Sequence, residues 1–242
     1  MDCLVQIVAT RKGMFSGEDE RTKFITTIMQ GIRNIILSLR HIDDADCYNG
    51  FCRLLQRFRT AVTLNDLAEM PGYIEWIELV GTFTQNAFQT NTSFHLLRFW
   101  YKIVEGMSYF QQLGEKTVKK LQEITVQLVR TFMTTHLAAV GGEMMWDENP
   151  LEEEDSLVES LSMLGQIARC QYEQSCAVLI ELFDPIAADY QEFISQASMA
   201  GVNQESIKEA IDMYESKFAW LVYFMAVFIG NRPVSVYETC RK

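Results

Sequence analysis

Apolar residues recur at intervals of three and four along most of the chain, the spacing that places them on one face of an α-helix. The segment that begins near residue 17 keeps this spacing for about six turns. Its apolar positions are Phe24, Ile25, Ile28, Ile32, Ile35, Ile36 and Leu39. No alternation of apolar and polar residues lasts long enough to predict a β-strand. The pattern therefore predicts an all-α protein.

The pattern breaks at regular places, which predict where each helix begins. The predicted starts lie near residues 17, 44, 72, 93, 115, 156, 171 and 204. Ser16 and Asp19 resemble a capping box, and residues 91–93 and Ser156 are predicted to cap later helices. Pro185 lies within a helical pattern and is predicted to kink that helix, because proline lacks the backbone donor.

The spacing of these starts also predicts how the helices are arranged. They pair into antiparallel hairpins of roughly 40 to 50 residues, close to the period of HEAT or armadillo arrays. We therefore expect an α-solenoid of about four HEAT-like hairpins, with residues 1–242 forming one repeat segment. Internal helices such as 94–110 carry two apolar stripes, as expected for helices that have neighbours on two sides. A closed helical bundle is the alternative architecture.

Twelve consecutive apolar residues occupy positions 218–229. A bilayer-spanning helix needs about 20, so the run is too short to cross a membrane. Because it offers no polar face, it is predicted to be a helix buried between neighbours. Repeat arrays depend on contacts between adjacent repeats, so we also expect exposed apolar surface at both ends of the chain and a tendency to aggregate.

Charge narrows the range of partners. The chain of 242 residues is 48% hydrophobic, enough to bury a sizeable core, and its formal net charge is −11. Such a balance argues against binding nucleic acid or anionic lipid, where Lys and Arg would be clustered, and no membrane insertion is expected. It favours protein partners with basic surfaces.

The cysteines point to a reducing compartment. No CxxC pair occurs, and a chain with this core does not need disulfide bonds. We expect reduced thiols in a cytosolic or nuclear protein. The cysteines are Cys3, Cys47, Cys52, Cys170, Cys176 and Cys240.

No motif in the sequence indicates catalysis. His41, His95 and His136 lie far apart without metal-ligand spacing, and structural roles are expected for them. No glycine-rich phosphate loop or nucleophile motif occurs either. We therefore expect no enzyme, no metal and no cofactor.

One dense charge cluster falls in a predicted acidic loop at residues 143–155. Its acids either favour the N-terminus of the following helix as part of a solvated linker, or they bind a basic partner. In the second case binding would weaken steeply with salt. The candidate contact residues are Asp147, Glu148, Glu152, Glu153, Glu154 and Asp155.

Several stretches, taken in order along about nine tenths of the chain, resemble the middle part of the exportins among the importin-β-type nuclear transport receptors. They include CLVQI at 3–7, FCRLLQR at 51–57, LNDL at 64–67, NTSFHLL at 91–97, PLEE at 150–153, IARCQYE at 167–173, WLVY at 220–223 and AVFIGNR at 226–232.

The resemblance implies a HEAT-repeat superhelix that binds Ran-GTP, carries protein cargo with basic surfaces out of the nucleus and meets nuclear pore proteins while shuttling between nucleus and cytoplasm. The family's N-terminal Ran-binding repeats and later repeats have no counterpart here. We therefore expect an internal segment of a longer receptor, with Ran bound through the full-length protein. A Ran-independent helical-repeat scaffold for protein assembly is the alternative function.

Overall fold

The computed structural model describes residues 1–10, 12–39, 42, 44–88, 94–109, 113–140, 154–197 and 204–230. Within these ranges the chain forms helices joined by turns and no β-strand, which confirms the all-α prediction. The α-helices are α1 (Asp2–Ile7), α2 (Glu18–Ser38), α3 (Ala45–Ala61), α4 (Leu64–Ala68), α5 (Tyr73–Ala87), α6 (Phe94–Tyr109), α7 (Glu115–Val140), α8 (Glu154–Ala168), α9 (Tyr172–Ala197) and α10 (Gln204–Gly230).

The predicted helix starts agree with the observed ones to within about two residues, which is the usual uncertainty of helix ends. The short helix α4 was not predicted, because its 5 residues are too few to show a period. Thr63 caps α4 by accepting a hydrogen bond from the backbone N–H of Asp66. The cap could have been read from the sequence, since Thr is a favoured residue at this position.

Two predicted caps are wrong. Ser16 donates from both its backbone N–H and its hydroxyl to the carboxylate of Glu20, at 2.7 and 2.6 Å, and does not pair with Asp19. Helix α8 begins at Glu154, so Ser156 lies inside the helix and cannot cap it. The predicted cap at 91–93 lies outside the described residues. Helix α9 continues through Pro185, and its kink stays a prediction.

The chain divides into two compact units, Met1–Leu128 and Val129–Lys242. In the first unit α3 packs against both α1 and α6, while α2 packs against α5. On the other side of α5, Lys120 of α7 pairs with Glu78 at 2.9 Å. Helices α1, α3 and α6 thus form one layer, and α2, α5 and the first part of α7 form the other. Stacking of alternate helices is the packing of helical-repeat arrays, as predicted for an α-solenoid.

Aromatic side chains fill the space between the two layers of the first unit. Phe51 of α3 meets Phe83 of α5 edge to face with ring centroids 5.4 Å apart, and Phe58 meets Trp76 at 6.3 Å. The indole N–H of Trp76 donates to the backbone carbonyl of Met29 in α2 at 3.1 Å. Burying each such ring contributes about 1.5–3 kcal/mol, so these contacts fix how the layers face each other.

In the second unit, α10 packs against both α8 and α9. Arg130 of α7 pairs with Glu181 of α9 at 2.7 Å. The rings of Phe132 in α7 and Phe224 in α10 lie 6.3 Å apart. The second unit therefore also consists of helices packed side by side around an aromatic core.

In the described structure, residues 218–229 are buried on one side only, whereas the apolar run by itself predicted a helix with neighbours on every side. One stripe of the run is buried against α7, α8 and α9 and consists of Trp220, Leu221, Phe224 and Phe228. Its other face is exposed and consists of Val222, Tyr223, Met225 and Ile229. An unbroken apolar run shows that no face is polar, but it does not show that every face is covered.

Candidate interaction surfaces

The acidic cluster singled out from the sequence lies mostly outside the described residues. Asp147, Glu148, Glu152 and Glu153 all fall in the range 141–153, which the structure does not describe. Glu154 and Asp155 are the first residues of α8, so the predicted loop ends two residues earlier than expected. The role of all six acids as a contact stays a prediction.

Histidines His95 and His136 have structural partners, whereas His41 lies outside the described residues. Nδ1 of His136 lies 2.8 Å from the backbone carbonyl oxygen of Phe132, and the His136 ring is stacked on the Phe132 ring. Burial lowers the pKa of His136 to about 4, because the charged imidazolium would lose its hydration. Since this ring is neutral at pH 7 and enclosed by aromatic side chains, its role is packing.

Cysteine and metal chemistry do not provide a site within the described residues. Cys3, Cys47, Cys52, Cys170 and Cys176 form no disulfide bond, whereas Cys240 lies outside the described ranges. Burial raises the pKa of the Cys52 thiol to about 12, so this thiol is unreactive. No group of three or more His, Cys, Asp or Glu side chains in the described part of the chain could hold a metal ion.

A groove with basic side chains crosses the solvent-facing side of the layer formed by α1, α3 and α6. Its volume is about 470 Å³. We call it the arginine groove, and it is lined by Asp2, Val5, Gln6, Arg53, Gln56, Arg57, His95 and Arg98. Among the described lining residues, three carry a guanidinium group and one carries a carboxylate, in a chain whose net charge is −11.

The groove has a defined hydrogen-bond pattern. Arg53 donates to the carboxylate of Asp2 at 3.0 Å, and Nδ1 of His95 lies 2.8 Å from Oε1 of Gln56. Burial lowers the pKa of His95, and the nearby charges of Arg53 and Arg98 lower it further. Burial is thus the larger cause of the lowered pKa of this half-buried imidazole, and the two guanidinium charges add to it.

The sequence pattern did not reveal this groove. Arg53 and Arg57 lie off the apolar stripe of their helix, which is the usual position of a solvated charge. Their spacing of four residues places both on one face of α3. Arg98 and His95 belong to α6, and only the packing of α3 against α6 brings them beside the first two arginines.

The second candidate surface is apolar. The exposed face of α10 described above lies beside α9, which also exposes Ile180, Phe183 and Ile194. In the first unit, α1 exposes Leu4 and Ile7. Exposed apolar surface was predicted near both ends of the chain, and these side chains agree with it. In the described part of the chain, no helix is long and apolar enough to span a membrane.

The described helices are stacked side by side, which is the arrangement of an α-helical repeat protein. They carry the charged and apolar surfaces described above. A family model described as "Exportin-7-like, TPR domain" matches residues 139–241. The relatives include Exportin-7-B of Xenopus laevis, which is 29% identical over 239 residues. Ran-binding protein 17 of Homo sapiens is 28% identical and Ran-binding protein 16 of Drosophila melanogaster 29% identical, each over 238 residues. No solved structure matches the chain.

These similarities confirm the predicted resemblance to the exportins. Each of these alignments covers 96% of this chain, and the chain spans 21% of the length of each relative. Exportins are transport receptors and not enzymes, which agrees with the prediction of a chain that acts without catalysis. The matching family model is described as a TPR domain. The HEAT-like subclass expected from the sequence therefore stays a prediction.

Proposed function

We propose that this chain forms part of an exportin-type nuclear transport receptor, which binds Ran-GTP and protein cargo and acts without catalysis. The observation that carries the proposal is the similarity to exportin-7 and to Ran-binding proteins 16 and 17 along 96% of the chain. A match that extends over nearly all of its helices points to a shared architecture and not to one isolated motif.

The packing of the helices suits this function. Alternate stacking leaves one face of each layer available to solvent, so that a repeat array presents long surfaces to its partners. The net charge of −11 favours cargo with basic surfaces, because opposite charges speed association and select partners. On this proposal the protein shuttles between nucleus and cytoplasm and meets nuclear pore proteins as it passes.

Retention of Ran by the natural protein tests the proposal. The protein is tagged at its own chromosomal locus, so that the complete natural product is captured, and is then incubated with purified Ran loaded with GTP or GDP. Since GTP-dependent binding defines a transport receptor of this kind, we expect Ran-GTP to be retained and Ran-GDP to be washed away. Equal retention of both forms, or of neither, would favour the Ran-independent scaffold.

We also propose the six acids at 147, 148, 152, 153, 154 and 155 as a contact for Ran or basic cargo. Changing each Asp to Asn and each Glu to Gln should weaken that binding. A matched control makes the same changes at six exposed acids of α9 and α10, which are Asp184, Asp189, Glu192, Glu205, Glu209 and Asp212. Equal binding by both variants would reject a local role for the acidic segment.

A further inference from the structure

We infer that the arginine groove binds an acidic segment of a partner protein, holding side-chain carboxylates between Arg53, Arg57 and Arg98. The inference goes beyond the proposed function, because it requires neither Ran nor the acidic segment at 147–155. It also assigns this chain a second surface whose charge is opposite to that of the chain as a whole.

The first argument is the excess of cations over anions in the groove. Arg53 and Arg57 lie one turn apart on α3, and Arg98 faces them from α6. Asp2 of α1 is the carboxylate among the lining residues, and among the described residues no carboxylate pairs with Arg57. A guanidinium presents several donors in a fixed plane that matches a carboxylate. Arg57 can therefore accept a carboxylate that the described part of the groove does not supply.

The second argument is that the groove already binds a carboxylate of this chain. Arg53 and Asp2 are paired at 3.0 Å, with side chains 47% and 83% exposed. An ion pair this exposed contributes little to stability, so a ligand carboxylate can displace Asp2 at little cost. Asp2 thus shows the geometry in which an acidic side chain would be held.

The third argument concerns His95. Among the described residues, the charged groups that line the groove together with His95 are Arg53 and Arg57 on α3, Arg98 on α6 and Asp2 on α1. Because the pKa of His95 is lowered partly by Arg53 and Arg98, carboxylates placed between these groups would raise it. Binding of an acidic segment should therefore be accompanied by proton uptake at His95 and become tighter as the pH falls through the pKa of His95 in the complex.

The size and surroundings of the groove favour a short peptide segment over a longer polyanion. Its volume of about 470 Å³ holds a few side chains. The lining residues that the structure describes include no Phe, Tyr or Trp on which nucleic-acid bases would stack. In a chain of net charge −11, a long nucleic acid or an anionic membrane would also meet repulsion from the rest of the surface.

Fluorescence anisotropy of a labelled hexaglutamate peptide, measured at about 50 mM salt with the full chain, tests the inference. The Arg57→Glu/Arg98→Glu variant should bind the peptide at least about tenfold more weakly. The Lys23→Glu/Arg33→Glu variant changes the net charge equally on exposed positions of α2, and its affinity should stay within about twofold. Asp2→Ala should tighten binding by about twofold to fivefold, because it frees Arg53.

Equal affinity of wild type and Arg57→Glu/Arg98→Glu, or no binding of the peptide by the wild type, would overturn the inference. So would tighter binding of an oligouridylate or of phosphatidylserine vesicles than of the peptide. If the charge-reversed variant melts at a lower temperature, Arg57→Gln/Arg98→Gln replaces it, and its affinity should fall by at least about threefold.

NMR titration of the His95 ring gives a further readout, in which the pKa should rise on binding. No Ran is present, so failure here is separate from failure of the transport proposal.

Discussion

Arg21 of α2 and Asp66 of α4 form a two-point ion pair, in which the guanidinium donates to both carboxylate oxygens at 2.9 and 2.6 Å. The two side chains are 8% and 23% exposed. Hydrogen bonds from Arg21, together with one from Thr63, lower the pKa of Asp66 to about 2. The pair fixes the position of α4, whose 5 residues are too few to form a stable helix without such contacts.

The ion pair predicts a loss of stability in acid. Because the folded pKa of Asp66 lies below the ordinary value, its contribution is complete above about pH 4 and is lost as the pH falls from there towards 2. Allowing for water access to the carboxylate, Asp66→Asn should cost about 1–2 kcal/mol at pH 7. Urea unfolding of wild type and variant at pH 7 and pH 3 measures the difference, which should narrow at the lower pH. The control variant Asp189→Asn changes an exposed position and should cost less than about 0.5 kcal/mol at both pH values.

Two glycines inside helices should respond to alanine in opposite ways. A Cβ at Gly106 of α6 would lie 2.5 Å from Nη2 of Arg59 and 3.2 Å from Cβ of Leu64, whereas a Cβ at Gly31 of α2 would meet nothing within 4 Å. Arg59 cannot easily retreat, because it is buried and donates to the backbone carbonyl of Lys102 at 2.6 Å.

Gly106→Ala should therefore destabilise the protein by about 1–3 kcal/mol, since overpacking outweighs the gain in helix propensity. Gly31→Ala should instead stabilise it by about 0.5–1 kcal/mol. Thermal melts and urea unfolding of both variants give the two values. A stabilised Gly106→Ala protein would show that the contact between α3 and α6 is looser than the structure indicates.

His136 predicts a second pH dependence, which lies in a different range. Its pKa in the folded protein is about 4, below the ordinary value, so that protonation favours the unfolded chain. The stability due to the neutral ring is complete above about pH 6.5 and is lost as the pH falls from there to 4. The loss should reach about 2–3 kcal/mol at pH 4. His136→Phe keeps an aromatic ring and should unfold with a flatter pH dependence between pH 7 and 4. An unchanged slope would show that His136 does not titrate as proposed.

The two faces of α10 should respond differently to substitution. Val222 and Ile229 are 59% and 69% exposed, so Val222→Lys/Ile229→Lys should reduce aggregation and change the melting temperature little. Phe224 is fully buried, and Phe224→Ala should cost about 3–5 kcal/mol. Static light scattering at increasing protein concentration measures the aggregation, and thermal melts measure the loss of stability. A large loss of stability in the Lys variant would mean that Val222 and Ile229 are packed against other side chains and are not exposed to solvent.

The sequence predicted the long helices more successfully than the short helix α4 and the helix caps. Helices α3 and α5 were found because each repeats apolar residues over several turns, and α4 was missed because it is too short for a period. The cap at Ser16 was assigned to Asp19 because a spacing of three residues is the rule, whereas the side chain of Glu20 makes the contact. Spacing alone cannot distinguish two neighbouring carboxylates that both reach the same donors.

The candidate surfaces were predicted less well than the helices. The acidic segment was visible because six acids lie close together in the sequence. The arginine groove was not, because its cations come from two helices that lie about 40 residues apart along the chain. A charge cluster assembled by packing leaves no continuous signal in the sequence.

The pattern of apolar residues by itself determined that this protein is all-α, roughly where its helices begin and that they pair at the spacing of a repeat array, because helix formation depends on neighbours within one turn. Similar residues along the chain also indicated the exportin relationship. Only the tertiary structure decided which face of residues 218–229 is buried, that Arg21 meets Asp66, and that three arginines share one groove. Those features depend on which helices touch, and contacts between distant segments are set by the packing of whole side-chain surfaces.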